Sequence, residues 1–198
     1  AAFRYLKVTG DQQNFAAKLL PDIKWIMDSY RKGTRFGIHA DNDKLITGGD
    51  VNTQLSWMDA KFDGIAFTPR YGKPVEVNAL WYCNLCHLTE YYRGKNEDAF
   101  RFYGLLSEQV RYSFQNEFWN EGRGYLSDCV LTSGKADTSI RPNQIFAVSL
   151  TYSPLSGVHQ KQMVEVIEKE LAQIRLENAA LKAQRLLLER FVALARSP

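Results

Sequence analysis

Two long helical patterns follow one another at the centre of this chain, Val75 to Tyr92 and Asp98 to Phe118, and they constrain the fold more than anything else in it. Pro74 stands where the first helix starts, a position at which its missing N–H costs nothing. The first stretch is strongly apolar. The second carries Phe100, Phe102, Leu105, Leu106, Val110 and Phe114 along its length, the apolar recurrence of a helix. Further helices are expected around this pair. Thr9-Gly10-Asp11 reads as a helix end and a new start. Asn14 to Arg31 holds Phe15, Leu19, Ile23, Trp25, Ile26 and Tyr30 near helical spacing, with Pro21 placed to begin or kink a helix. Pro142 opens a helix to about Leu150, and a last one runs from about Val158 towards the end. Between Gly33 and Gly49 the pattern changes. Phe36 and Ile38, then Asp41-Asn42-Asp43, then Leu45 and Ile46, predict a short hairpin with an Asx-rich turn. Asp50 to Pro74 is irregular and suited to lining a cleft, and Trp119 to Asp137 reads as loop with short extended pieces. The class is all-α with one short β-hairpin.

Composition narrows the functions. At 198 residues the chain is one domain, or one domain with an appendage. A chain of this length buries roughly 70% of its unfolded surface, enough for a real core. Apolar residues at 45% and charged residues at 24% are ordinary for a globular protein. A net charge of +3 without a Lys/Arg-rich block argues against a nucleic-acid partner. No apolar run is long enough to span a membrane. Ala1 to Gly10 lacks the basic-then-apolar pattern of a signal peptide. With 3 cysteines, a reduced cytoplasmic setting is expected.

Chemistry concentrates in one stretch. Trp57-Met58-Asp59-Ala60-Lys61 is followed by Thr68-Pro69-Arg70 and by Gly72-Lys73-Pro74-Val75-Glu76-Val77-Asn78-Ala79-Leu80-Trp81-Tyr82. Aromatic planes beside a carboxylate and fixed hydrogen-bonding groups are what a sugar site needs. Pyranose rings offer apolar faces for stacking and hydroxyl edges for binding. A carboxylic acid held against apolar rings keeps its proton near neutral pH, because desolvation disfavours the charged form. Asp59, beside Trp57 and Met58, is placed to be such an acid. Trp81 lies on an apolar helix, where core packing is the better reading. Arg70, Lys73 and Asn78 suit hydroxyl binding and equally suit a buried network that orders the loop. Lys61 belongs with them as a binding candidate. Glu76 either holds hydroxyls or pairs with Arg70 or Lys73. Arg141, Asn143 and Gln144 begin a helix, where polar groups cap it or point into a cleft.

These strings resemble the glucosidase domain of glycogen debranching enzymes, the amylo-α-1,6-glucosidase family. Arg141-Pro142-Asn143-Gln144 followed by Ile145-Phe146-Ala147-Val148-Ser149-Leu150 resembles a second block of that family at the later position expected. The resemblance extends over roughly residues 1 to 170. It implies a six-hairpin (α/α) barrel with the site in loops at one end. About six helices are legible here, so a partial barrel is expected over residues 1–165, with a helical tail over 166–198. The resemblance further implies an inverting glycoside hydrolase acting on a branched α-glucan without a cofactor. Asp59 would be the general acid, with Trp57, Lys61, Arg70, Lys73, Glu76, Asn78, Arg141 and Asn143 around the substrate. Inversion requires a second carboxylate about 6.5–9.5 Å away to activate water. In the family that base is a Glu well downstream. Glu165, Glu168, Glu170, Glu177 and Glu189 match no motif and read as solvated helix charges, so impaired activity is expected.

The tail reads differently. Ile167, Leu171, Ile174, Asn178, Leu181, Leu188 and Val192 alternate at spacings of four and three, with Arg185 in one core position, a coiled-coil seam over about four heptads. It would pair two chains as a homodimer through residues 167–192, or cover the open core of its own chain. Leu176, Leu186, Leu187, Phe191 and Leu194 lie off the seam and widen the apolar face. A non-catalytic helical module, or a chimera that self-associates through this tail, is therefore the alternative function. Other motifs are set aside. Cys83-Asn84-Leu85-Cys86-His87 matches a haem-attachment pattern, but sits mid-helix without an export signal. Cys83, Cys86, His87 and Cys129 lack the second paired motif of a zinc site. Asp41-Asn42-Asp43 starts like a calcium loop, but Leu45 and Ile46 occupy positions that need Asp/Asn and Gly.

Overall fold

The computed structural model of the chain describes residues 1–58 and 60–195. Over these residues the protein is mostly helical, with small antiparallel β-pairs set between the helices. The centre is a helical hairpin of α4 (Val75–Tyr92) and α5 (Glu97–Phe118). Pro74, extended at φ −74° and ψ 138°, precedes α4. Asn96 caps α5 by accepting the Ala99 N–H at 2.9 Å, and Glu97 and Asp98 sit in the first turn, where carboxylates favour the helix dipole. α4 buries Val75, Ala79, Trp81, Tyr82, Leu85 and Leu88, residues on several sides, as a helix apolar all round must. α5 buries one stripe, Tyr103, Leu106, Val110, Phe114 and Phe118. The Phe114 and Phe118 rings meet at 4.7 Å. The other side of α5 leaves Phe102, Leu105 and Tyr112 exposed.

The N-terminal helices pack beside this hairpin. α1 (Ala2–Thr9) stops at Gly10, left-handed at φ 68°. Asp11 then caps α2 (Gln12–Asn14) by accepting the Asn14 N–H at 3.0 Å. The stretch from Asn14 to Arg31 is helical, and its regular α-helix begins beside Pro21, one of the two outcomes the sequence left open. A π-helical turn, Phe15–Leu19, leads into α3 (Leu20–Lys32). Pro21 supplies the reason, since it cannot donate to the preceding turn and its ring crowds that turn's carbonyl. Widening the turn relieves both.

The expected hairpin is present as β1 (His39–Ala40) and β2 (Ile46–Thr47), its turn held by Asp43 Oδ1 accepting the Leu45 N–H at 3.1 Å. Its second strand is fastened to α4. Asn78 Oδ1 accepts the Ile46 N–H at 2.6 Å, and Nδ2 donates to the Ile46 carbonyl at 3.0 Å. The other strands are too short to leave a periodic signature. β3 (Lys61–Phe62) and β4 (Ile65–Ala66) form a small hairpin within the loop read as irregular. β5 (Gly72–Pro74) is followed, beyond the helical hairpin, by β6 (Trp119–Asn120), β7 (Tyr125–Leu126), β8 (Cys129–Leu131) and β9 (Ala136–Asp137). β6 pairs with β7, and β5, β8 and β9 form a three-stranded sheet in that order, with Lys73 opposite Val130 and Cys129 opposite Asp137. That sheet joins the end of the motif loop to residues 128–137. Gly72 makes the pairing possible: at φ 118°, a Cβ there would stand 2.3 Å from the Val130 carbonyl oxygen.

A 3₁₀ turn, Pro142–Ile145, leads into α6 (Phe146–Ser149), and the chain ends in α7 (Gly157–Ala195). Among the described residues the helices form no closed barrel. The start of α7 belongs to the body, with Met163 fully buried and His159 stacked on Trp119 at 4.0 Å. Beyond it the helix leaves the body. Leu171 and Ile174 are each 49% exposed and Leu181 61%, so this part of the seam does not cover the core of its own chain. Leu188 and Val192 lie outside the residues whose side chains are described. Among the described residues no helix is long and apolar enough to cross a membrane.

Candidate active site

Five of the nine sequence candidates come together around one buried polar cluster. Arg70 is fully buried, and its two terminal nitrogens donate to the two oxygens of Glu76, at 2.7 and 2.5 Å. Its Nε lies 3.1 Å from Asp128 Oδ2, an ion pair without a well-directed hydrogen bond. Arg141 approaches from the other side, with Nη1 2.8 Å from Asp128 Oδ2 and 2.7 Å from Asp137 Oδ2. Asn143 completes the set, its Nδ2 donating to Asp128 Oδ1 at 2.7 Å. Asp128 is thus the hub, a wholly buried carboxylate whose oxygens are both engaged.

The local fold places each member. The sheet register sets Pro74 beside Cys129, and the Val75 N–H donates to the Asp128 carbonyl at 3.0 Å, locking the start of α4 to the hub's backbone. The 3₁₀ turn is fixed by Gln144, whose Oε1 accepts the Arg141 N–H at 2.8 Å while Nε2 donates to the carbonyls of Leu126 and Ser139. Arg141 and Asn143 therefore enter the cluster from a rigid corner.

Charge balance follows. Burial pulls the Arg70 guanidinium downward, but Glu76 and Asp128 outweigh it and hold the group charged. Arg141 behaves in the same way through Asp137 and Asp128. Burial raises the Asp137 carboxyl, but the Ser139 N–H and Arg141 bring it below the usual carboxylate range. The Cys129 thiol is pushed up to about 12, chiefly by burial. A buried charge survives only when paired and hydrogen-bonded. Glu76 and Asp128 have their oxygens held by arginines, which ties the end of the motif loop to residues 128–141.

Trp57 sits on the rim of this cluster with the opposite character. Its side chain is 67% exposed, yet its Nε1 donates to Asn143 Oδ1 at 3.0 Å. Met58 follows it, its Sδ 3.3 Å from Asn143 Nδ2. Asp59 itself lies outside the described residues. Beyond it, Phe62, Ile65 and Phe67 are also exposed. The two ends of the excursion, Gly48 and Gly72, are joined by paired backbone hydrogen bonds of 2.9 and 2.8 Å.

The remaining candidates lie elsewhere. Lys61 Nζ donates to the Val51 carbonyl at 2.5 Å, closing the loop on itself. Lys73 contacts Asp43 at 2.6 Å and Asp41 at 3.3 Å, beneath the Asx turn. Asn78 is committed to β2 and to the Pro74 carbonyl. Trp81 is core, its Nε1 donating to the Lys44 carbonyl at 3.1 Å. His87 stacks on Phe3 at 4.6 Å, and among the described residues no three or more His, Cys, Asp or Glu side chains gather to hold a metal ion. Sequence reasoning missed Asp128 and Asp137. A signal was available: Arg70 and Arg141 had only Glu76 as a named partner, and Asp128 interrupts the apolar run Tyr125-Leu126 to Val130-Leu131.

The site thus joins an exposed indole to a buried ionic cluster, on a loop that leads directly into the α4–α5 hairpin. The amylo-alpha-1,6-glucosidase family model matches residues 1–174, and the chain belongs to that family. No curated protein and no solved structure shows a significant match.

Proposed function

We propose that this domain hydrolyses α-1,6-linked glucose stubs on a branched α-glucan by direct, inverting attack of water. Asp59 protonates the leaving glycosidic oxygen, and Trp57 stacks on a glucose ring. The observation that carries this reading is the family match across Trp57-Met58-Asp59, joined to an indole that is exposed but tethered. Asp59 follows directly on a segment tied to Asn143 through Trp57 and Met58. Glu76 and Asp128 are engaged by Arg70 and Arg141, so the base that activates water is a different carboxylate. Arg70, Glu76, Arg141 and Asn143 support the site from beneath. Lys61 and Lys73 reach substrate only by releasing their present partners. Residues 1–165 form part of an (α/α) barrel, and three cysteines, all unpaired, suit a reducing cytoplasm.

A second reading concerns the tail. Leu171, Ile174 and Leu181 are exposed along one seam of α7, which favours a coiled-coil homodimer through residues 167–192. Asn178, also exposed, would set its register.

The anomer of the released sugar tests the main reading. Proton NMR of fresh product from an oligosaccharide bearing a single α-1,6-glucose stub should show β-glucose first, relaxing later to the equilibrium mixture. Initial α-glucose would mean retention and would exclude direct water attack.

A further inference from the structure

Asn143 was a candidate for touching sugar, but its side chain is wholly buried and its amide is committed. We infer that Asn143 is a positioning residue: it fixes the indole of Trp57, and the turn entering position 59, against the Asp128 cluster. This rests on the reading of Trp57 as a sugar platform given above.

The amide has one sensible orientation. Asp128 Oδ1 faces it at 2.7 Å and can only accept, so the NH₂ must point there. The carbonyl oxygen is then left for the indole N–H, which can only donate, at 3.0 Å. Flipping the amide would set oxygen against carboxylate and NH₂ against N–H. The orientation is inherited from deeper in the protein. Asp128 cannot rotate, because Arg70 stands 3.1 Å and Arg141 2.8 Å from its Oδ2. The sequence of control runs from the two arginines to Asp128, from Asp128 to Asn143, and from Asn143 to Trp57.

The indole needs this control. At 67% exposure its ring has little packing to choose a rotamer, and the Nε1–Asn143 bond supplies the direction. A stacking surface set before the sugar arrives avoids the ordering cost that a loose one would incur on binding. The same amide touches Met58 Sδ at 3.3 Å, so the backbone leading to Asp59 is constrained from one point.

The test is a ¹H–¹⁵N correlation spectrum of the whole chain. It holds 4 tryptophan indole peaks, and the one missing in Trp57→Phe identifies Trp57. In Asn143→Ala that peak should move to the position of a solvated indole and exchange faster with water, while the peaks of Trp25, Trp81 and Trp119 stay in place. An unmoved Trp57 peak in folded Asn143→Ala overturns the inference. Should Asn143→Ala fail to fold, Trp57→Phe keeps the test open, since the Asn143 side-chain amide peaks must then shift. Their constancy would be equally decisive against it.

Affinity for maltotetraose supplies the functional arm. Loss of one neutral hydrogen bond should weaken binding by about three- to tenfold in Asn143→Ala, and Asn143→Ala should add little once Trp57 is already Phe. Full additivity would contradict action through Trp57. If wild-type protein binds no maltotetraose while the indole peak still moves, the sugar reading fails and the positioning role stands.

Discussion

The molecule inverts the usual distribution of residues in two neighbouring regions. Around Asp128, charge lies inside: Arg70, Glu76 and Asp128 are buried, with Arg141 and Asn143 beside them. In the loop from Val51 to Phe67, apolar side chains lie outside: Val51, Trp57, Phe62, Ile65 and Phe67 are each more than 60% exposed. Buried charges are tolerated only as a complete set, because removing one partner leaves another desolvated and unpaired. A dense group of exposed apolar side chains marks a surface that meets something else. The first region therefore holds and the second presents, and the hydrogen bond from Trp57 to Asn143 joins them. Substitutions in the two regions should fail differently: inside through stability, outside through binding.

Arg70→Met is expected to have the largest effect. It strands Glu76 and Asp128 without their shared cation and should cost about 3–5 kcal/mol of unfolding free energy, measured by chemical denaturation. A loss under about 1 kcal/mol would show that the cluster does not hold the fold.

Cys129 sharpens the inner side through pH. Its thiol is held up to about 12 in the folded protein, chiefly by burial. The unfolded thiol ionises near 8.5. Its contribution is therefore complete below that lower value and is lost as pH rises towards the folded one. Wild type should lose about 1.4 kcal/mol per pH unit relative to Cys129→Ala in that interval. Parallel stability curves for the two proteins would break the assignment.

Asn143→Ala sits at the junction and should show both kinds of failure, about 1–3 kcal/mol of stability together with weaker sugar binding. Phe62→Ser and Phe67→Ser, in the presenting loop, should change stability by no more than about 0.5 kcal/mol. Thermal melts of these two variants would expose any hidden structural role.

The contrast also explains what could be read from sequence. Long, densely patterned elements were legible: α4 was expected with the bounds it has, because Pro74 marks its start and apolar residues recur along its whole length. The Asx-turn hairpin was legible because Asp41 and Asp43 act locally. Asp128 was not, because its partners lie far away in sequence and a single acid in a short strand has no periodic signal. The sheet of β5, β8 and β9 was hidden for the same reason, each strand having only two or three residues. Whether Arg70 and Glu76 met substrate or each other was left open by their types, and burial decides it: they meet each other. The tail's seam was legible as a pattern, but only coordinates could separate a helix that covers its own chain from one that leaves it.

Asp59 carries the account, and the rate of glucose release from an α-1,6-branched oligosaccharide tests it most directly. Asp59→Asn, checked to melt at the wild-type temperature, should release glucose about 10²–10⁴-fold more slowly than the unaltered chain. An equal rate in the two proteins would remove the proton donor from position 59 and contradict the reading of this site.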